Sequence, residues 1–297
     1  MPWLISRPLP SEAGKQLEHY VGMLAEQFDD PLLDRNVIVR ETLAEIMHGT
    51  SYAELSERAP MAAFALEPRN ITFEAEYYVA TDQSKFQNVK PLLWFWKCLD
   101  QTPLGQSIDS GLKIRRMLAE RIFARCGKNI KIFQNVEVSV GYNIEAGDNI
   151  AIHRYVLIDD MGGVILHDGA SLSDFVNVYS HTHDILNSPD VTLKQTVIGK
   201  GVRVTYHATV LAGTILSDDS MVGALGLATR DVEPSVVGLG IPAKPRVWKE
   251  RAGDPKFAHP TVDSRTYQRK PDVRANPDFA EGVTIVEKGK RQEERET

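Results

Sequence analysis

Two histidines stand two residues apart in the segment Ser180-His181-Thr182-His183-Asp184. In an extended segment their side chains leave on the same face. An imidazole, with an ordinary pKa near 6.5, is suited to take a proton from a poor nucleophile at neutral pH. A histidine in a strand is more often structural than catalytic, so position in the fold must decide its role. The chain also carries His153, His167 and His207, enough imidazoles for a zinc site. Its two cysteines, Cys98 and Cys126, stand apart from any CxxC pair, so a thiolate zinc site is not expected. So few cysteines suit a reducing cytoplasm.

The elements that must position these residues are set by a repeat. Stepping by six from Ile132 gives Val138, Ile144, Ile150 and Val156. After a short insertion around DDMGG the series resumes at Leu166, Leu172 and Val178. It resumes again, after an excursion over 184–197, at Ile198, Val204, Val210, Leu216 and Val222. All thirteen positions are Ile, Leu or Val. A helix needs apolar positions three and four apart and a long strand needs every second residue, so neither explains a period of six. Short strands separated by turns do, with one side chain per strand pointing inward. Three such strands close a triangular coil of about eighteen residues, and the coils stack as parallel ladders about 4.8 Å apart. The expected fold is mainly β, a parallel β-helix of about four coils, preceded by an α-helical region.

Three stretches are therefore expected: a mainly helical region over 1–127, the β-helix over 128–250, and a polar extension over 251–297. In the first, helices are expected from Ser11 to Phe28 and from Asp34 to His48, the latter closed by Gly49. Ser51 with Glu54 reads as a capping box. Phe73–Val79 alternates as a short strand would. A helix is expected from Asp109 or Ser110 to Arg125, ended by Gly127, with its basic residues on a solvated face. The apolar run Pro91 to Leu99 is expected to pack under the β-helix or in a subunit contact, with a substrate-binding role as the alternative. The last residues, EKGKRQEERET, are expected to fray.

Composition narrows the function. Apolar residues are 42% and charged residues 25% of the 297, the balance of a globular chain. A net charge of −6 offers phosphate backbones no general attraction, so nucleic acid is not an expected partner. No apolar run is long enough to span a bilayer. The start, MPWLISRPLPSEAG, has no continuous apolar stretch of the signal-peptide kind, and the expected location is the cytoplasm.

The segments GYNIEAGDN (141–149), VLID (156–159), VNVYSHTHD (176–184) and GIPAKP (240–245) occur in the order and spacing of one family. Over roughly 128–250 the chain resembles the hexapeptide-repeat acyltransferases, most closely the maltose and galactoside O-acetyltransferase branch. The resemblance implies a left-handed parallel β-helix, a homotrimer, acetyl-CoA as co-substrate and a small saccharide as acceptor. It implies His183 as the general base that deprotonates the acceptor hydroxyl for direct attack on the thioester, with His181 the weaker alternative. It places Asp159, and Asp160 beside it, at the strand end facing the acceptor, where a carboxylate accepts hydrogen bonds from hydroxyls. Tyr179 is expected in the same cleft. Lys244, Arg246 and Arg230 are expected to pair with the phosphates of CoA, with Lys194 a further candidate.

Three departures bear on the acceptor. Arg154 stands where this branch carries an asparagine; it would either favour an anionic acceptor or pair with Asp159 or Asp160. Tyr206 and His207 stand where the branch has small glycines, and His207 is a possible polar site residue. Asp184 replaces a proline. The alternatives are an N-acyltransferase, a serine acetyltransferase-like enzyme, a non-catalytic scaffold, or a γ-carbonic-anhydrase-like metal enzyme. The last has two ligands five residues apart, whereas this chain offers spacings of two and fourteen. No metal is expected.

Overall fold

The structure, a computed structural model, describes residues 9–186, 190–249, 260–275 and, for the backbone alone, 283–286. The chain forms two compact units. One holds residues 1–72, 87–122 and 132–134, and the other holds 73–86, 123–131 and 135–297.

The first unit is helical, with α1 (Ser11–Asp29), α2 (Arg35–His48), α3 (Tyr52–Arg58), α4 (Pro60–Leu66), most of α5 (Gln83–Leu99), α6 (Pro103–Gln106) and α7 (Ile108–Ile122). Local chemistry fixes the ends. The Asp34 carboxylate accepts the Asn36 N–H at the start of α2, and Gly49 ends it in the left-handed region at φ 67°. The Ser51 hydroxyl accepts the Glu54 N–H at the start of α3. The Pro91–Leu99 run forms the second half of α5. Leu92, Phe95 and Leu99 are buried, and the Phe95 ring lies 6.3 Å from that of Phe28. This run is thus core of the helical unit itself.

Helix α7 stops at Ile122, earlier than expected, because Arg125–Cys126 is the first strand of the β-helix. Its basic residues are largely paired rather than a solvated face. Arg115 is 1% exposed and donates to Asp100 and the Gly105 carbonyl, and Arg121 pairs with Asp29.

The second unit is the expected parallel β-helix. Its coils run β1 (Arg125–Cys126), β2 (Lys131–Ile132), β3 (Glu137–Val138); β4 (Ile144–Ala146), β5 (Ala151–Ile152), β6 (Leu157–Ile158); β7 (Val164–Leu166), β8 (Ser171–Leu172), β9 (Asn177–Val178). After an excursion, β10 (His181–His183) and β11 (Val191–Leu193), they continue as β12 (Thr196–Ile198), β13 (Arg203–Val204), β14 (Thr209–Val210) and β15 (Ile215–Leu216), β16 (Met221–Val222), β17 (Leu227–Ala228). A sixth coil is begun by the bridge of Val232 to Leu216 and by β18 (Val236–Leu239), against which β19 (Lys244–Trp248) folds back antiparallel. The count is about six coils where four were expected, because strands before Ile132 and after Val222 lack the strict ladder residue.

Every ladder position from Ile132 to Val222 is buried except Val138, which is half-buried. Between 144 and 156 the true stack runs two residues later, through Ala146, Ile152 and Ile158. Both members of each pair, such as Ile150 and Ile152, are buried, so a count of six holds in either frame. Partners lie twenty residues apart in the early coils (Ile144 with Val164) and eighteen apart after the excursion (Val197 with Ile215).

One corner carries Tyr155, Phe175 and His207, all in the left-handed region (φ 58°, 62° and 56°). Their rings stack 4.8 and 4.7 Å apart, which offsets part of the strain of a bulky residue there.

The described part of the polar extension packs against the β-helix. Val262 is completely buried against Val197 and Ile215, with Tyr267 alongside. The Thr261 N–H donates to Asp218, the Ser264 N–H to the Ser217 hydroxyl, and Arg269 to Asp231 and the Gly213 carbonyl. Residues 272–275 then form β20 (Asp272–Ala275), which pairs with β11 and with β21 (Val283–Val286). The EKGKRQEERET tail lies outside the described residues.

Candidate active site

The excursion carries the histidine pair. Strand β10 pairs antiparallel with β11, setting His183 opposite Val191 and His181 opposite Leu193. Strand β20 continues the row, with Ala275 opposite Val191. Directly opposed residues, and residues two apart, share one face of a sheet. His181, His183, Val191, Leu193 and Ala275 therefore line the same side, that of a cavity of about 240 Å³ whose other walls are Met161 and Tyr77–Ala80.

The stretch leading into that wall, Phe73–Val79, was expected to be a strand. It holds a 3₁₀ turn over Glu74–Tyr77, and the chain turns again at Val79 and Ala80. The Glu76 carboxylate accepts the Phe73 N–H at 2.7 Å, and the Thr81 hydroxyl donates to the Ala75 carbonyl at 2.6 Å. These local bonds close the turn. Next to it, the Asp82 N–H donates to the Tyr142 hydroxyl on the β-helix at 3.0 Å.

Beneath the histidines lies Asp159, 3% exposed. Its carboxylate accepts the backbone N–H groups of Ser180 (3.0 Å), His181 (3.1 Å) and Met161 (3.3 Å), and His181 Nδ1–H at 2.6 Å. Burial pushes the Asp159 pKa up, but the hydrogen bonds from His181 and the backbone hold it below the usual carboxylate value. The same hydrogen bond raises His181 above its ordinary value despite burial, with the charges of Asp159 and Glu74 helping. His183 is exposed in the cavity, its ring edge-to-face with that of His181 at 5.3 Å between centroids. The Tyr78 hydroxyl donates to Glu74 at 2.7 Å, and that bond, then burial, pushes its pKa up to about 12.

Asp159 thus faces His181 and the backbone. Asp160 is fully buried and accepts the N–H groups of Val140 (2.9 Å) and Asn143 (3.2 Å), and burial raises its pKa to about 6. Arg154 pairs with Asp174, one coil on, at 3.1 Å rather than with Asp159 or Asp160. Tyr179 is half-buried and is not among the described residues that line the cavity. Lys194 lies 3.9 Å from Asp272 and packs over Gly213. Lys244 and Arg246 are exposed on β19, Arg230 is exposed after β17, and none of the three lines the cavity. His207 belongs to the stacked corner. Among the described residues no three His, Cys, Asp or Glu side chains gather as metal ligands would, and no helix is long and apolar enough to cross a membrane.

The expectations missed Tyr78, Val79, Met161, Val191, Leu193 and Ala275. The alternation of Val191-Thr192-Leu193 against His181-Thr182-His183 was a usable hairpin signal. Nothing local pointed to Ala275.

No family model matches the chain. Among curated proteins it is 27% identical to the galactoside O-acetyltransferase of Escherichia coli K12, over 47% of this chain and 71% of that one. It is 29% identical to the dTDP-4-amino-4,6-dideoxy-D-glucose acyltransferase of Escherichia coli, over 43% of this chain and 83% of that one. Among solved structures a maltose O-acetyltransferase from Clostridium difficile 630 superposes with a TM-score of 0.51 at 21% identity, covering 60% of this chain and 98% of that one, and so shares the fold. The chain is thus similar to curated acetyl- and acyltransferases and shares the β-helix fold of the solved maltose O-acetyltransferase.

Proposed function

We propose that the chain is an acyl-CoA-dependent O-acyltransferase acting on a carbohydrate hydroxyl, with His183 as general base. The observation that carries this reading is the exposed imidazole of His183 at a cavity, beside a His181 oriented by a buried carboxylate. His183 takes the proton of the acceptor hydroxyl as its oxygen bonds to the thioester carbonyl carbon. The tetrahedral intermediate then collapses, the C–S bond breaks, and the proton passes from His183 to the departing CoA thiolate. His181 stays next to this exchange as a positioning residue, its orientation fixed by Asp159. Lys244, Arg246 and Arg230, all exposed, pair with the phosphates of CoA in this reading. The assembly is a homotrimer, as the family resemblance implies.

A second reading, transfer to an amino group, is favoured by the relative named for an amino-sugar nucleotide. It needs the same base.

The test is CoA release from acetyl-CoA across a panel of saccharides and amino sugars. His183→Ala should lower kcat by ~10²- to 10⁴-fold while calorimetry still records CoA binding. Activity within threefold of the parent would remove His183 from the role.

A further inference from the structure

The walls of the His183 cavity are made almost wholly of carbon. Val191, Leu193 and Ala275 form one side, Met161 and Val79 the other. Few polar atoms line it, and two of these already have partners. The Tyr78 hydroxyl is held by Glu74, His181 Nδ1 by Asp159, and His183 is assigned to the proton. A saccharide placed here would leave its remaining hydroxyls without partners, at a cost for each. Yet about 240 Å³ is far more than the methyl of an acetyl group fills. Taking a carbon-sized group as about the ~30 Å³ share of a water, it has room for roughly eight.

We propose that this cavity takes the alkyl tail of the donor's acyl group, and that the acyl group transferred is longer than acetyl, roughly four to eight carbons. The inference rests on the acyl-CoA reading of the site. In a thioester only the alkyl tail lacks polar atoms, and it begins one bond from the carbonyl carbon that must lie beside His183. The tail then runs between the β10–β11–β20 face and the 3₁₀ wall. The acceptor and the polar arm of CoA approach from the open side, where His183 is exposed.

The experiment is calorimetric titration of the full chain with CoA, acetyl-CoA, butanoyl-CoA, hexanoyl-CoA and octanoyl-CoA. Affinity should rise about fourfold per added methylene until the cavity is full. Val79→Trp, on the exposed wall, and Val191→Phe, on the sheet, should each flatten the rise, with thermal unfolding showing that each variant is folded. Equal affinity for acetyl-CoA and hexanoyl-CoA would overturn the proposal and leave the acyltransferase reading standing. A rise that persists unchanged in a folded variant would place the tail elsewhere and overturn it too. Failure of CoA and every thioester to bind would overturn the acyltransferase reading along with it.

Discussion

The carboxylate of Asp159 and the Nδ1 of His181 meet at 2.6 Å, although 22 residues separate them in the chain. An early coil of twenty residues carries most of that distance, so the register of the β-helix brings the strand after the third coil onto Asp159. The ionised carboxylate can only accept, so His181 Nδ1 carries the proton and its Nε2 faces away from Asp159. Asp159→Asn removes the charge and keeps the shape. A histidine titration followed by NMR should show His181 above 6.5 in the parent and displaced downward in the variant. No displacement would mean that the carboxylate does not govern this imidazole.

The same contact predicts a pH dependence of stability. The folded-state pKa of His181 is raised, so the folded state holds a proton that the unfolded state releases above about 6.5. The stabilisation is therefore fully present below about pH 6.5 and is lost as pH rises through the folded pKa. Denaturant unfolding of His181→Gln against the parent should show its largest deficit at pH 5.5 and a smaller one at pH 9.

In the helical unit, Arg115 and Asp100 are an ion pair almost without exposure, 1% and 5%. Arg115→Met would leave a buried carboxylate without its cation and should cost about 3–5 kcal/mol. Urea unfolding checks this. A loss within about 0.5 kcal/mol, the usual range for an uninvolved surface site, would show that water reaches Asp100.

Val262 anchors the segment that carries β20 back to the histidine strands. Val262→Asp should release that segment and raise hydrogen exchange at the β11 amides around Thr192, while the amides of β13 and β16 keep their protection. Unchanged exchange at β11 would show that β20 holds without its anchor.

Lys244→Ala should raise KM for acyl-CoA several-fold with little change in kcat, as loss of a phosphate contact would. Steady-state kinetics with varied donor decide it, and an unchanged KM counts against Lys244.

Much of the β-helix was legible because its core uses branched aliphatic residues at one spacing. The frame between Ile144 and Val156 was not, since both residues of each two-apart pair are buried. Phe73–Val79 alternates like a strand, but a strand needs a neighbour to pair with, and here Glu76 and Thr81 close a turn instead. The histidine pair stood out by spacing. The contact of Asp159 with His181 did not, because it depends on coil length, which varies from twenty to eighteen residues. Ala275 was illegible for a simpler reason. Its place follows from strand pairing across the chain, and its own neighbourhood reads as polar linker.

The way β20 completes the histidine sheet also sets a schedule. His183 emerges from the ribosome roughly ninety residues before Ala275, an interval of roughly 5–20 s at about 5–20 residues per second. Until then β10 and β11 are a two-stranded hairpin, a structure with marginal stability of its own. The five coils through Ala228 can stack during that interval, but the histidines wait on a half-built sheet. Synthesis therefore finishes the scaffold first and the histidine cavity last.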